Sequence, residues 1–124
     1  MAASHFVILL AHGSSDPHWI QPFVQLEQTL RQQEPATALA FMELAEPSLE
    51  AVITQARTQG YREFSVLPLF FAAGRHLRQD VPRQIQQLEA QLQVNISLLP
   101  PIGEHPLLTQ AVLHIAQDLI RTGR

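Results

Sequence analysis

The chain has neither cysteine nor lysine in its 124 residues. Without cysteine there is no disulfide framework and no thiolate site. Any bound metal must take its ligands from histidine, aspartate or glutamate. Without lysine no Schiff base can form on a side chain, and apart from histidine every basic residue is arginine. The net charge of −3 leaves the chain without the strongly basic balance that broad nucleic-acid binding requires. Long apolar runs are missing as well, since none approaches the roughly 18 residues of a membrane span. The longest, Phe6 to Ala11, is short and lacks the basic flank and cleavage pattern of a signal peptide. The absence of cysteine and of a targeting segment fits a cytoplasmic protein with no membrane partner.

What is present is an alternation. The apolar fraction is 46%, enough for a real core, and residues 1–124 read as one domain with no repeat or linker. Phe6 to Ala11 is apolar throughout, as a strand covered on both faces should be. Ala38 to Met42, Glu63 to Leu67 and Val94 to Leu99 are three further strand-like runs, the third run ended by Pro68 and the last by Pro100. Helical spacing separates them. Leu49, Val52, Ile53 and Ala56 form one stripe, with Gly60 just past its end. Val81, Ile85, Leu88 and Leu92 form another, with Asp80 in position to cap and Pro82 in the first turn. Leu107, Leu108, Ala111, Val112, Ile115 and Leu119 form the last. The first helix has Pro17 and Pro22 in its opening, so it is expected to settle after Trp19 and run to about Gln33. The βαβαβαβα order predicts an α/β fold, a four-stranded parallel sheet flanked by helices on both faces, flavodoxin-like with strand order 2-1-3-4.

Ligands of such sheets bind beyond the carboxyl ends of the strands, at the switch point between the first and third strands of this order. The first strand runs into His12-Gly13-Ser14-Ser15-Asp16, the second into Met42-Glu43, and the third into Phe70-Phe71-Ala72-Ala73-Gly74-Arg75-His76. Two imidazoles and a carboxylate therefore share one rim. That donor set suits Co²⁺, Ni²⁺, Zn²⁺ or Fe²⁺ better than Mg²⁺ or Ca²⁺, and either imidazole can act as a base. The plainer reading makes each histidine a cap or a hydrogen-bonding loop residue. His105 is read as a cap for the last helix, His18 as a loop-surface residue, and His5 as lying at the opposite rim. Gly13-Ser14-Ser15 ahead of a helix can cradle an anion with backbone amides. A serine hydrolase at Ser14 or Ser15 is disfavoured, because the nucleophile-elbow pattern G-x-S-x-G is absent.

Three segments together carry a family resemblance: LLAHGSSDP, FMELAEPSL and PLFFAAGRHLRQDVP, at the ends of the first three strands. In order and spacing over nearly the whole chain they resemble the short-form class II chelatases. These are the CbiX-type sirohydrochlorin cobaltochelatases, with ferrochelatase and nickelochelatase relatives. The resemblance implies a chelatase-like half-unit that inserts a divalent metal, Co²⁺ with Ni²⁺ or Fe²⁺ as alternatives, into sirohydrochlorin. No prosthetic group is implied, because the metal is a substrate. By resemblance His12 and His76 hold the metal and assist removal of pyrrole protons, and Glu43 corresponds to a glutamate of more variable role. The resemblance further implies a homodimer whose cleft takes the broad tetrapyrrole. Arg75 and Arg78 would then clamp its carboxylates, since guanidinium pairs bidentately with carboxylate, while Phe71 and its neighbours wall the ring. The alternative from another class is a module that binds or delivers metal or tetrapyrrole without inserting one into the other.

Overall fold

The computed structural model describes residues 5–123. Four parallel strands, β1 (His5–Ala11), β2 (Thr37–Phe41), β3 (Glu63–Pro68) and β4 (Asn95–Leu98), lie in the order β2-β1-β3-β4. The predicted order is the observed one. β1 is central, and its alternation divides the core. Phe6, Ile8 and Leu10 face one side, with Leu49, Val52 and Ile53 of helix α2 (Leu49–Thr58) and Val81, Ile85 and Leu88 of α3 (Val81–Leu92). Leu9 and Ala11 face the other, against Ile20, Phe23 and Val24 of α1 (Pro17–Gln33). Ile8 and Ile53 are fully buried, so each contributes about 1.5–3 kcal/mol by removal from water. Among the described residues no helix is long and apolar enough to cross a membrane.

Three expectations are corrected. The first helix begins at Pro17, before Trp19, because Pro17 stands in the first turn, where no N–H is needed. Asp16 starts it by accepting the His18 backbone N–H at 2.9 Å. Pro22 sits inside the same helix and forfeits one bond to an exposed carbonyl, a loss that does not end the helix. Asp80 does not cap α3. The chain enters that helix through a π-helical turn, His76–Asp80, and the Asp80 carboxylate is taken up by His76. The last helix, α4 (Pro106–Thr122), carries the predicted apolar stripe but has no buried residue. It packs chiefly on the 3-10 turn Ile102–Glu104 that precedes it. His105 caps α4 as expected, its Nδ1 accepting the Leu107 N–H at 3.1 Å.

Candidate functional site

β1 ends at Ala11 and delivers His12 to the carboxyl edge of the sheet. The next residue explains the local path. A Cβ placed on Gly13 would lie 1.7 Å from the Glu43 carbonyl oxygen, so only glycine fits between the two backbones. This close approach lets the Gly13 N–H donate to Glu43 Oε2 at 2.8 Å and sets Oε1 3.3 Å from His12 Nδ1. An ionised carboxylate only accepts, so in the neutral ring Nδ1 carries the proton and Nε2 the lone pair. The His12 and Glu43 side chains are 50% and 43% exposed, so the pair adds little stability; what it supplies is orientation. The imidazole also stacks on Phe70, with centroids 4.3 Å apart and planes inclined by 28°. Trp19 donates its indole N–H to the His12 carbonyl at 3.3 Å.

His76 is oriented by a different device with the same result. The wider π turn, closed by the Val81 N–H on the His76 carbonyl, brings His76 Nδ1 within 2.6 Å of Asp80 Oδ2. π turns inside helical segments recur at functional sites. Again the carboxylate accepts a hydrogen bond from Nδ1–H, and in the neutral ring Nε2 is the nitrogen left for other chemistry.

Both histidines line one open cleft of about 550 Å³, together with Trp19, Phe70, Phe71 and Arg75. A neighbouring hollow of about 380 Å³ is lined by Glu43, His76 and Asp80, so His76 borders both spaces. The structure thus brings His12, His76, Phe71 and Arg75 together, with Glu43 beside His12. Ser14 stands apart from the cleft, its Oγ accepting the Asp16 N–H at 3.0 Å as a turn residue. Arg78 is exposed on the π turn and lines neither space. Among the described residues neither arginine forms an ion pair. Nor does any group of three His, Asp or Glu side chains there form a ready metal cage. His5 bonds Ser65 Oγ at 2.7 Å and, as the first residue of β1, lies at the far rim; His18 is almost fully exposed.

Three contributors lay outside the sequence reading of the site: Trp19, the stacking face of Phe70, and Asp80 as a partner for His76. Only Asp80 left a usable sign, its spacing of four residues from a histidine.

Two carboxylate-oriented imidazoles facing one cleft, at the switch point of a 2-1-3-4 parallel sheet, define a two-histidine α/β domain of flavodoxin-like order. The CbiX family model matches residues 6–119, and the chain belongs to the CbiX family. It is 27% identical over 116 residues to the sirohydrochlorin cobaltochelatase of Sulfurisphaera tokodaii, covering 94% of each protein. It is 46% identical to a Marinobacter aquaeolei VT8 structure described as a cobalamin (vitamin B12) biosynthesis CbiX protein. That match has a TM-score of 0.86 and covers 94% of this chain and 98% of the other. The sirohydrochlorin chelatase SirB of Bacillus subtilis subspecies spizizenii, solved in complex with cobalt, shares the fold at 24% identity and a TM-score of 0.78. The match covers 94% of this chain but only 51% of SirB.

Proposed function

We propose that the chain inserts a divalent metal into sirohydrochlorin, with Co²⁺ as the first substrate to test and Ni²⁺ or Fe²⁺ as alternatives. The observation that carries this reading is the pair of imidazoles, each held at Nδ1 by a carboxylate and both bordering one cleft. Membership of the CbiX family and the cobaltochelatase relative support the substrate class. Two imidazoles in an open cleft suit a metal that must be handed on, because a full cage would retain it.

Insertion replaces two pyrrole N–H protons by bonds to the metal, so the site must hold an ion and also receive protons. One imidazole Nε2 holds the ion while the other accepts a proton from the ring, and solvent at the open cleft takes the second. Glu43 and Asp80 keep the two rings in the tautomer this division requires. Glu43 already serves His12 and the Gly13 N–H; direct ligation of the metal by Glu43 would replace one of these bonds. Arg75 borders the cleft and is placed to meet a carboxylate of the ring, with Phe71 beside its apolar face. Arg78 can serve only a substrate that reaches beyond the cleft wall, and Ser14 only one that reaches its turn. A tetrapyrrole is broad beside this cleft, which supports a homodimer with substrate between the copies.

The test mixes purified protein with sirohydrochlorin and Co²⁺ and follows the tetrapyrrole absorption spectrum. Acceleration over metal alone, with multiple turnover, is expected. His12→Ala and His76→Ala should each abolish most of it; full activity in both would remove the site assignment. Stoichiometric binding without turnover would favour a delivery module instead.

A further inference from the structure

Tryptophan occurs once in the chain, at position 19, in the first turn of α1. Tryptophan is on average a highly buried residue, yet Trp19 is 52% exposed. The link through Gly13 and the Asp16 cap folds the start of α1 back onto the end of β1, which sets the indole beside His12.

The contacts of the ring leave a definite part of it free. Its N–H, the only polar group of the side chain, donates to the His12 carbonyl at 3.3 Å. Phe23, one turn further along α1, packs against it with centroids 6.4 Å apart and planes at 49°. What Trp19 offers to the cleft is therefore apolar ring surface and nothing else. The rest of the lining agrees with that. Phe70, Phe71, Met42 and Leu69 are apolar, Arg75 is the one arginine, and no carboxylate borders this space. Such a lining suits a flat unsaturated ring with an anionic edge. An indole gives it a large rigid face at small cost in rotamer freedom.

His12 is held at three points: Nδ1 by Glu43, the imidazole face by Phe70, and the carbonyl by Trp19. The third hold is the one that also reaches the open cleft. We infer that Trp19 stacks on the bound tetrapyrrole and, through its N–H, ties that docking to the position of His12. This rests on the metal-insertion reading and deepens it. The ring face is a binding contact, whereas the N–H makes Trp19 a positioning residue that acts through His12. A staple between α1 and β1 would need only the N–H, and its ring would have no reason to stand in the cleft.

Two substitutions separate the two roles. Trp19→Ala removes ring and N–H; Trp19→Phe keeps an aromatic face and removes only the bond to His12. Leu26→Ala, at a 41% exposed position of the same helix and outside the cleft lining, is the control. Affinity for sirohydrochlorin is read without metal, from the anisotropy of the tetrapyrrole's own fluorescence. Insertion is read in a single turnover at saturating sirohydrochlorin and Co²⁺, and a melting curve checks each fold. Trp19→Ala should weaken binding about tenfold, the size of one aromatic stacking contact. Trp19→Phe should bind within about twofold of the unmodified chain, yet insert about three- to tenfold more slowly, as loss of one hydrogen bond implies. Unchanged binding by Trp19→Ala overturns the stacking. Wild-type insertion by Trp19→Phe overturns the tie to His12. Equal loss of binding in both variants, with lowered melting points, assigns Trp19 to the fold and overturns both roles. If the unmodified chain and Leu26→Ala also fail to bind sirohydrochlorin, the failure belongs to the metal-insertion reading itself, and the inference falls with it.

Discussion

At Gly13 a single hydrogen atom in place of a side chain decides whether the site assembles. The Gly13 amide and His12 Nδ1 share one carboxylate, and that sharing is possible only while the two backbones touch. Gly13→Ala must push Glu43 away. It should lower stability by about 1–3 kcal/mol in urea unfolding, as overpacking does, and should also slow metal insertion. Asp80 separates orientation from stability. Its side chain is 52% exposed, so Asp80→Ala should leave the thermal midpoint nearly unchanged. Loss of the partner that fixes His76 should reduce kcat/KM for insertion by about 10–100-fold. Steady-state kinetics beside a melting curve checks both halves, and a variant with native kinetics would remove Asp80 from the site. His12 and His76 were legible in the sequence because strand ends are where such folds place chemistry. Their carboxylate partners were less so. Glu43 meets His12 across 31 residues of chain, and Asp80 meets His76 only through a π turn, which has no residue signature of its own.

At the scale of elements, the strands were readable because both faces of β1 are covered, which leaves an uninterrupted apolar run. Helix α2 was readable from its stripe and its end, where Gly60 takes a φ of 104°. The start of α1 was misread because a proline ahead of Trp19 looks like a break, when in the first turn it is a favoured residue. Nothing in the sequence announced how the sheet ends its two edges. Glu27 of α1 and Glu89 of α3 each reach across to an outward strand N–H, and both replace the neighbour strand that is missing. Leu39 is 2% exposed, so removing its acceptor strands a buried donor. Glu27→Ala should therefore cost about 1–3 kcal/mol in denaturant unfolding. It should also raise light scattering on heating, since the β2 edge becomes open to another chain. Glu50→Ala, on an exposed position of α2, is the control expected to stay within about 0.5 kcal/mol.

For the whole molecule, α4 shows why an apolar stripe alone does not reveal its destination. The pattern Leu108-Val112-Ile115-Leu119 is the same whether the helix covers its own sheet or that of a partner. Energetics separates the two cases. If α4 is buried only between copies, unfolding of the chain includes dissociation, and stability must rise with protein concentration. A tenfold increase adds about 1.4 kcal/mol to an obligate dimer, which for a unit of this size moves the melting midpoint up by about 3–6 °C. Calorimetry over a hundredfold range of concentration measures this directly. Ile115→Asp is informative because the side chain is 60% exposed in the single chain, so a charge there costs the isolated fold little. The same charge set against a partner's sheet face is desolvated and unpaired, and should abolish the concentration dependence. A wild-type midpoint that does not move with concentration would mean that α4 is held by its own chain. The groove between Leu67 and Leu108 would then have to be closed from within.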